Sequence, residues 1–287
     1  MRADIDLDHV AIAVEAWTDA WPRYAGELAG RWVSGGANPE AGFGAGQLGW
    51  ANGIRLEVLE PTGPVAAEPA NFLRRFLDAN GPGPHHLTYK VADLEATLDR
   101  VRAGGYEPVG TDLTSRAPQW RETFLHPRQA SGIVIQLAQS GGDWQAPPPP
   151  GLASPLRDRP ATLVRVAHAV ADLDRALQLF CGLLGGEELD RQTTGDPQWV
   201  DLGWPGPGRV RLLAPAGEGS PLWSWLGRRP GRLHHLAFTC AHPDQLAGSR
   251  PLGEGPVVAV EPEDNLGVRL IVAPPGTEPL APPPPRR

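Results

Sequence analysis

Four segments of the sequence each carry one side chain that can bind a metal ion: His9 in DHVAIAV, Glu57 in IRLEVLEP, His86 in HHLTYKV and Gln136 in GIVIQLAQ. In each segment apolar residues alternate with small or polar ones, which is typical of a strand with one buried face. The metal-capable residue lies on the small or polar face every time. Because imidazole nitrogens and carboxyl oxygens bind borderline divalent ions, the pattern favours a cavity in which the four side chains meet.

The length and composition restrict the kind of protein this is. The chain has 287 residues, 41% of them hydrophobic, which suggests about two globular domains. Its net charge is -7 and it has no basic run, so nucleic acid is not an expected partner. No apolar stretch approaches the ~20 residues that span a bilayer, and the N-terminal residues carry no secretory signal. We therefore expect no membrane partner and a cytoplasmic location.

Proline-rich stretches divide the chain. The segment WQAPPPPGLASPL lacks hydrophobic periodicity and predicts a semi-rigid linker over 144–156. A second Pro-rich stretch predicts a tail over 278–287. These segments bound a first domain over 1–143 and a second domain over 157–277.

Strand-like segments of the first half return in the same order in the second half, which indicates a duplication. Within each half the order of elements predicts a βαβββ unit that occurs twice. The similar pairs are DHVAIAV (8–14) with VRVAHAV (164–170), IRLEVLEP (54–61) with RVRLLAP (209–215), GPHHLTYKV (83–91) with GRLHHLAFTC (231–240), and GIVIQLAQ (132–139) with GVRLIVAP (267–274).

Two helices are predicted in the first half. The clearer one begins after Asp93, a good N-cap residue, and ends at Gly104. The other covers about residues 16–28 and is interrupted by Pro22, which predicts an early turn or a kink.

Taken in order, the stretches DHVAIAV, LEVLEP, GPHHLTYKVADLEATLDRVRAGG and FLHPRQASGIVIQL resemble the vicinal oxygen chelate superfamily, also called the glyoxalase fold. The resemblance covers nearly the whole chain, and the first half is similar to methylmalonyl-CoA epimerase and related glyoxalase-like proteins. It implies an α+β fold of tandem glyoxalase-fold domains. In each domain, paired βαβββ modules form a half-open barrel.

The resemblance also implies a metal site and a chemistry. The ligands fall on His9 and Glu57 of the first module and on His86 and Gln136 of the second. One divalent ion (Zn, Co, Ni, Mn or Fe) would act as a Lewis acid for a small acyl or carbonyl substrate that chelates it through two neighbouring oxygens. The implied enzyme is an isomerase or lyase that stabilises an enolate-like charge.

Several residues are candidates for moving the proton. Relatives of the epimerase type carry Glu where this chain has Gln136, and an amide cannot shuttle a proton at neutral pH. Glu57 and Gln136 are candidate catalytic residues because they are implied ligands. Glu40 is the only acid in the loop where the second carboxylate is expected, although Asn38 is an alternative counterpart. His126 is either a proton carrier near the substrate or a turn-stabilising residue before Pro127.

Three further residues are candidates for substrate binding. Lys90 shares the predicted face of His86 and either contacts an anionic substrate or lies in solvent. Trp120 and Phe124 flank the loop before the last strand of the first half and are placed to cover a flat or acyl ligand.

The second half departs from this pattern. Its residues at the four ligand positions are Arg165, Arg211, His235 and Ile271. One histidine without a carboxylate cannot hold a divalent ion against two guanidinium charges. We therefore expect no metal in this half.

Arginines on the predicted cavity face of the second half have two possible explanations. They either bind an anionic group, for which guanidinium is well suited, or pair with nearby acids. The cavity-face set is Arg165, Arg209, Arg211, His235 and Arg269, and the nearby acids are Asp201, Glu261 and Glu263.

Two other functions remain open. A non-enzymatic protein that binds a small molecule such as an antibiotic would fit the tryptophans and the altered second half. A ring-cleaving dioxygenase uses two His and one Glu, but with the Glu on the last strand, where this chain has Gln136. The duplication predicts either a monomer that acts as an internal pseudo-dimer or a homodimer.

Overall fold

The computed structural model describes residues 4–64, 71–114, 120–142 and 146–280, and these residues form two sheets of eight strands. The first sheet contains β1 (Ile5–Ala13), β2 (Arg31–Asn38), β3 (Phe43–Gly49), β4 (Arg55–Pro61), β5 (Gly83–Val91), β6 (Pro108–Asp112), β7 (Trp120–Leu125) and β8 (Val134–Ser140). The second sheet contains β9 (Thr162–Val170), β10 (Glu187–Gln192), β11 (Gln198–Gly203), β12 (Arg209–Ala214), β13 (Gly231–Thr239), β14 (Ser249–Pro251), β15 (Val258–Val260) and β16 (Leu270–Ala273).

Short helices connect the strands. The α-helices are α1 (Trp17–Trp21), α2 (Phe72–Asn80), α3 (Leu94–Ala103), α4 (Leu173–Leu177) and α5 (Pro221–Leu226). Two π-helical segments (Pro22–Glu27 and Gln178–Leu183) and two 3-10 turns (Pro243–Gln245 and Pro262–Asp264) complete the helical elements of the described residues.

The two sheets have the same topology. The strand order is β2-β3-β4-β1-β5-β8-β7-β6 in the first and β10-β11-β12-β9-β13-β16-β15-β14 in the second. Each half therefore consists of two modules whose first strands, β1 with β5 and β9 with β13, pair antiparallel at the centre. Each sheet keeps two free edges and does not close. The predicted tandem glyoxalase fold is confirmed.

Local signals in the sequence explain α3 well. Asp93 accepts a hydrogen bond from the Ala96 amide (3.0 Å), and the helix ends at Gly104 as predicted. The fourth module differs from the predicted unit because its helix is replaced by the 3-10 turn at Pro243–Gln245.

The α-helix is interrupted at Pro22 by a π-helix, and the proline alone does not explain this. After α1 the chain continues as a π-helix, in which the Leu28 amide bonds the Arg23 carbonyl five residues earlier (3.0 Å). The second half does the same after α4 without any proline, with the Leu184 amide bonded to the Leu179 carbonyl (2.9 Å). The π-turn is therefore a property of this helix in both halves, which the sequence pattern did not predict.

The apolar faces of both sheets share one core. The Trp50 ring packs on Phe238 with centroids 5.1 Å apart, and Tyr89 packs on Trp204 at 5.2 Å. Each such buried ring contributes roughly 1.5–3 kcal/mol. The backbones also touch, because a Cβ on Gly132 would lie 2.0 Å from a carbonyl oxygen of the second half. The halves therefore pack directly against each other.

The Pro-rich linker is packed against the first half where it is described. The Leu156 amide donates to the Gly26 carbonyl (2.9 Å), and the Trp32 indole donates to the Ala146 carbonyl (2.9 Å). Among the described residues, no helix is long and apolar enough to cross a membrane.

Candidate metal centre

The sheet register brings three of the four candidate ligands together. β1 lies between β4 and β5, and Ala11 of β1 pairs with Glu57 on one side and His86 on the other. His9 precedes Ala11 by two residues and so lies on the same face. The ligand atoms of His9, Glu57 and His86 all lie within 4.8 Å of one another.

Two β-bulges between β1 and β5 shape this centre. The register between the two strands shifts at Asp8 and again at His85. Strict alternation would send His85 to the opposite face from His86, but the bulge keeps it on the cavity side. There its ring packs on Phe76 of α2 with centroids 4.8 Å apart. Sequence periodicity could not locate these bulges.

The two ligand histidines present the same nitrogen to Glu57. His9 Nε2 lies 3.5 Å from Glu57 Oε2, and His86 Nε2 lies 3.4 Å from the same oxygen. The Nδ1 atoms are engaged elsewhere, in His9 by Asp8 Oδ2 (2.7 Å) and in His86 by His85 Nδ1 (2.8 Å). A carboxylate on Nδ1 is the usual second partner of a metal-binding histidine.

These atoms fit a divalent ion. Both Nε2 atoms are buried and have no hydrogen-bond partner among the described residues, which is costly unless another group binds them. Ligand atoms that lie about 2.1 Å from one ion at tetrahedral angles are about 3.4 Å apart. The spacings of His9 and His86 from Glu57 match that value. Two imidazoles and a carboxylate are also ordinary ligands of borderline ions.

The acids and histidines of this centre stabilise each other's charged forms. Burial opposes ionisation of Glu57, but His9 and His86 outweigh it and hold the pKa of Glu57 well below its usual range. Burial likewise opposes a charge on His9, yet Glu57 and Asp8 raise the pKa of His9 to about 9. The pKa of Asp8 falls to about 2, because the bond to His9 outweighs the effect of burial.

A second layer of polar groups holds the other oxygen of Glu57. Gln47 of β3 donates to Glu57 Oε1 (3.3 Å), and Arg55 donates to the Gln47 side-chain oxygen (3.2 Å). Gln47 pairs with Glu57 across β3 and β4. Alternation in FGAGQLG was the available signal for Gln47, and the sequence analysis missed it.

Gln136 lies beside this group and is held on both sides. It pairs with Thr88 across β5 and β8, on the face of His86. Its side-chain oxygen accepts a hydrogen bond from the Thr88 hydroxyl (2.5 Å), and its side-chain nitrogen donates to Glu122 (2.6 Å). The oxygen keeps a second lone pair that an ion can use.

Glu122 is a further acid beside this group and was not among the residues predicted from the sequence. It lies on β7, where alternation puts it on one face with Trp120 and Phe124, and Phe124 pairs with Gln136. Its Oε2 also accepts from the Trp120 indole (2.7 Å). Burial raises the pKa of Glu122 above its usual range. An acid between two aromatic residues in WRETF was the signal for this position.

Other candidates lie in different surroundings. Glu40 is exposed in the turn between β2 and β3, beyond the Phe43–Pro61 pair. That pair is four residues from Glu57, about 13 Å along the strand. His126 is exposed after β7, and its Nδ1 accepts from the Arg128 amide (3.2 Å), as in the turn-stabilising alternative. The epimerase-like role for these two residues lacks support from their positions.

Lys90 and the two aromatic candidates lie on the cavity side of the first sheet. Lys90 Nζ is 3.3 Å from Asp8 Oδ1, and its side chain is 29% exposed, so it is neither fully solvated nor deep in the cavity. Trp120 and Phe124 are half-buried beside Glu122.

The described residues of the second half contain no equivalent cluster of metal-capable side chains. Among the described residues, the set formed by His9, Glu57 and His86 is the only one in which three His, Cys, Asp or Glu ligand atoms come within 4.8 Å. Arg165 and Arg211 both bind Asp201, and Arg269 pairs with Glu261 (3.2 Å). Arg209 donates to backbone carbonyls. Each of these arginines therefore has at least one acidic or carbonyl partner, as in the pairing explanation.

Comparison with known proteins agrees with this architecture. A family model described as a glyoxalase-like domain matches residues 7–185, and one described as the glyoxalase/bleomycin resistance protein/dioxygenase superfamily matches residues 165–252. The first match runs through the linker and covers more than half of the chain.

Curated relatives resemble the first half. An ethylmalonyl-CoA/methylmalonyl-CoA epimerase of Cereibacter sphaeroides is 29% identical over 138 residues, 46% of this chain and 96% of that protein. The human mitochondrial methylmalonyl-CoA epimerase is 26% identical over 138 residues, 47% of this chain and 73% of that protein.

A solved structure resembles the whole chain in fold. A mutant of 4-hydroxymandelate synthase from Streptomyces coelicolor superposes with a TM-score of 0.63 at 14% identity, over 97% of this chain and 95% of that one. Tandem sheets of identical strand order and two family matches in sequence lead to one conclusion: this chain belongs to the glyoxalase-like family of the vicinal oxygen chelate superfamily.

Proposed function

We propose that the first half is a metal-dependent enzyme centre that removes and returns a proton beside a carbonyl group, as an isomerase of the epimerase type. The observation that carries the proposal is the pair of buried Nε2 atoms, on His9 and His86, that face Glu57 and have no hydrogen-bond partner among the described residues. The similarity of the first half to epimerases supports the reaction class.

Four side chains would hold the ion. His9, Glu57 and His86 supply two nitrogens and an oxygen, and Gln136 supplies its amide oxygen as the fourth ligand. Zn, Co, Ni, Mn and Fe all accept this set of ligands. When bound, the ion supplies a Lewis acid that stabilises negative charge developing on a substrate oxygen.

The net charge of this set favours that chemistry. Glu57 is the only acid in it, so a +2 ion would keep about one positive charge, where two carboxylates would neutralise it. The ion would bind more weakly than in a two-carboxylate site but attract a developing oxyanion more strongly.

The proton carrier that we propose is Glu122. Gln136 cannot carry a proton, Glu57 is committed to two histidines, and Glu40 and His126 lie in exposed turns. Glu122 is a carboxylate on the cavity face next to Gln136, and Gln136 and Trp120 fix its position through hydrogen bonds of 2.6 and 2.7 Å. A fixed carboxylate near the reacting carbon is the usual arrangement for such a transfer.

Acyl thioesters are the first substrates to test. The epimerase of Cereibacter sphaeroides is matched over 96% of its length, and its name specifies ethylmalonyl-CoA and methylmalonyl-CoA. Phe124 and Trp120 would form the apolar wall against the acyl group. We propose a small 2-substituted acyl compound as the substrate class.

Metal analysis combined with proton exchange tests this proposal. Purified protein should hold one divalent ion per chain and exchange the 2-proton of methylmalonyl-CoA for deuterium in D2O. His9→Ala and His86→Ala should each lose both properties, while His242→Ala, an exposed histidine of the second half, should keep them. Protein that takes up no stoichiometric ion, even after reconstitution with each candidate metal, would rule the proposal out.

A second function is favoured by the composition of the centre. Two histidines and one carboxylate are also the ligand set of non-haem Fe(II) oxygenases. Anaerobic reconstitution with Fe(II), followed by electron paramagnetic resonance of the nitric oxide complex and by oxygen uptake, tests this alternative. An iron complex that neither binds nitric oxide nor consumes oxygen would leave the isomerase proposal in place.

A further inference from the structure

The centre of the second sheet holds a buried pair of arginines. Arg165 of β9 and Arg211 of β12 have side chains that are 8% and 4% exposed. Both point at Asp201 of β11, which pairs with Arg211 across the two strands. Burying two guanidinium groups is costly without anionic partners, so the anions around them identify what this centre accepts.

Asp201 is the inner partner of both arginines. Its two oxygens accept from Nε and Nη2 of Arg211 at 2.6 Å each, and Oδ2 also accepts from Arg165 Nη1 (3.0 Å). The Trp199 ring covers the Arg211 guanidinium, with its centroid 3.9 Å away. These contacts fix the two guanidinium groups and leave further N–H donors on both for a second anion.

Glu278, in the segment after the last strand, supplies that second anion. Its Oε1 accepts from Arg165 Nη2 (2.7 Å) and from Arg211 Nη2 (2.8 Å). The Glu278 side chain is 51% exposed, whereas the arginines are buried. The residue follows the last strand, and the segment that carries it makes only local backbone bonds, such as Thr277 to Pro274 and Leu280 to Glu278, among its described residues.

A small cavity lies beside this contact. It has a volume of about 210 Å³ and is lined by Gln192, Asp196, Pro197, Trp199, Arg211, Leu213, His235, Pro279 and Leu280. Burial and the nearby arginines keep the pKa of His235 well below its usual range, so that imidazole is neutral. The walls are therefore mixed: Leu213, Pro279 and Leu280 supply apolar surface, Gln192 and Asp196 supply polar groups, and Arg211 supplies positive charge at one end.

The charges around the two arginines favour a ligand with a single negative charge. Among the groups in contact, Arg165, Arg211 and Asp201 leave a net charge of +1, which Glu278 neutralises. Asp196 also lines the cavity, but its Oδ1 accepts from the Ser220 hydroxyl (2.6 Å) and the Ala216 amide (3.2 Å). A monocarboxylate in the place of Glu278 would restore the same balance, whereas a phosphate dianion would bring a second negative charge towards Asp201. The cavity is smaller than the roughly 300–1,000 Å³ of sites for drug-sized ligands, so the apolar part of the ligand is small.

We propose that the second half contains a binding site for a small organic monocarboxylate, and that Glu278 of the chain itself occupies the anion position until a ligand displaces it. The carboxylate binds Arg165 and Arg211, and the apolar body packs on Trp199 and Leu213. Pro279 and Leu280 leave the cavity together with Glu278 when the ligand enters. This site is independent of the metal centre proposed for the first half.

Benzoate binding to the full-length protein tests this inference by calorimetry. Glu278→Gln should bind benzoate at least about tenfold more tightly than the wild type, because the competing carboxylate is gone while the segment remains. Glu254→Gln removes an exposed acid of the same half and should bind benzoate like the wild type. In the Glu278→Gln background, Arg211→Lys should abolish the gain, because lysine cannot form the two-pronged contact.

Neutral and dianionic probes define the ligand class. Benzamide has the same shape without the charge and should not bind, and inorganic phosphate should bind more weakly than benzoate. Equal benzoate affinity of the wild type and a folded Glu278→Gln protein, or tighter binding of phosphate, would overturn the inference. Because the measurement needs no bound metal, its result does not depend on the proposal for the first half.

Discussion

The two halves of this protein have the same strand order but opposite chemistry at their centres. Two histidines and one glutamate meet in the first half. Two arginines and one neutral histidine lie at the equivalent positions of the second half. The equivalent residues are His9 and Arg165, Glu57 and Arg211, and His86 and His235.

The difference depends on where the carboxylate lies. In the first half Glu57 is on β4, next to the central strand β1, and its neighbour on the next strand outward, β3, is Gln47. In the second half the equivalent strand β12 carries Arg211, and its outward neighbour on β11 is Asp201. On the two proposals made above, Glu57 beside the central strand would attract a cation. Asp201, one strand further outward, would neutralise part of the charge of the arginines and leave them able to bind an anion.

The largest expected effect is the loss of metal affinity when Glu57, the acid of the first half, is replaced. In Glu57→Gln the site loses its only carboxylate, so metal affinity should fall by at least about 100-fold. Asp201→Asn, at the outward position of the second half, should leave the metal content unchanged. Inductively coupled plasma mass spectrometry on both variants measures the effect, and equal loss from the two would contradict the assignment of the centre.

A variant of Glu122 should separate metal binding from proton transfer. Glu122→Gln keeps the hydrogen-bonding shape but cannot accept a proton, so proton exchange should slow by about 10²–10⁴-fold while metal content stays at one ion per chain. Glu107→Gln, on the exposed surface of the same half, is the control. Exchange at the wild-type rate in Glu122→Gln would show that another group carries the proton.

Part of the loss of folding stability at acidic pH should come from His168, a polar residue at a position that is apolar in the first half. His168 of β9 takes the place that Ile12 has in β1, and its buried Nε2 contacts the Ser131 carbonyl (2.8 Å). Burial lowers the pKa of His168 to about 4. The folded state therefore resists protonation, and its stability is full above about pH 6.5 and falls as the pH drops towards 4, by about 3 kcal/mol.

Urea unfolding at pH 7.5 and pH 4.5 checks this pH dependence. His168→Gln cannot take the proton and should lose less stability between the two pH values than the wild type. His242→Gln, which changes an exposed histidine, should behave like the wild type. Parallel losses in the wild type and His168→Gln would refute the assignment.

The smallest expected effect concerns the partner of His9. Asp8 orients His9 through Nδ1, whereas the equivalent residue of the second half is Val164. Asp8→Asn should lower metal affinity by about 10–100-fold without abolishing it. Competition with a chromogenic chelator measures the change, and an affinity equal to that of the wild type would exclude a supporting role for Asp8.

The sequence predicted what depends on local rules. The cap at Asp93, the repeated modules and the strand faces of His9, Glu57 and His86 follow from alternation, from known capping preferences and from the family resemblance. Asp8 and His85 were not predicted in their places, because a β-bulge shifts the alternation by one residue and leaves no signal in the pattern.

Contacts across long sequence distances were also beyond prediction. Glu122 meets Gln136 only because β7 pairs with β8, and Glu278 reaches Arg165 across 113 residues of sequence. The π-turns after α1 and α4 occur at the same place in both halves, and only one of them contains a proline, so a search for proline could not have predicted both.

Anomalous X-ray scattering from crystals of the purified protein tests the central claim most directly. One peak per chain should lie between His9 Nε2, His86 Nε2 and the Glu57 carboxylate, and none should lie between Arg165 and Arg211. Crystals reconstituted with a divalent ion that show no peak at the first position, or a peak in the second half, would contradict the account.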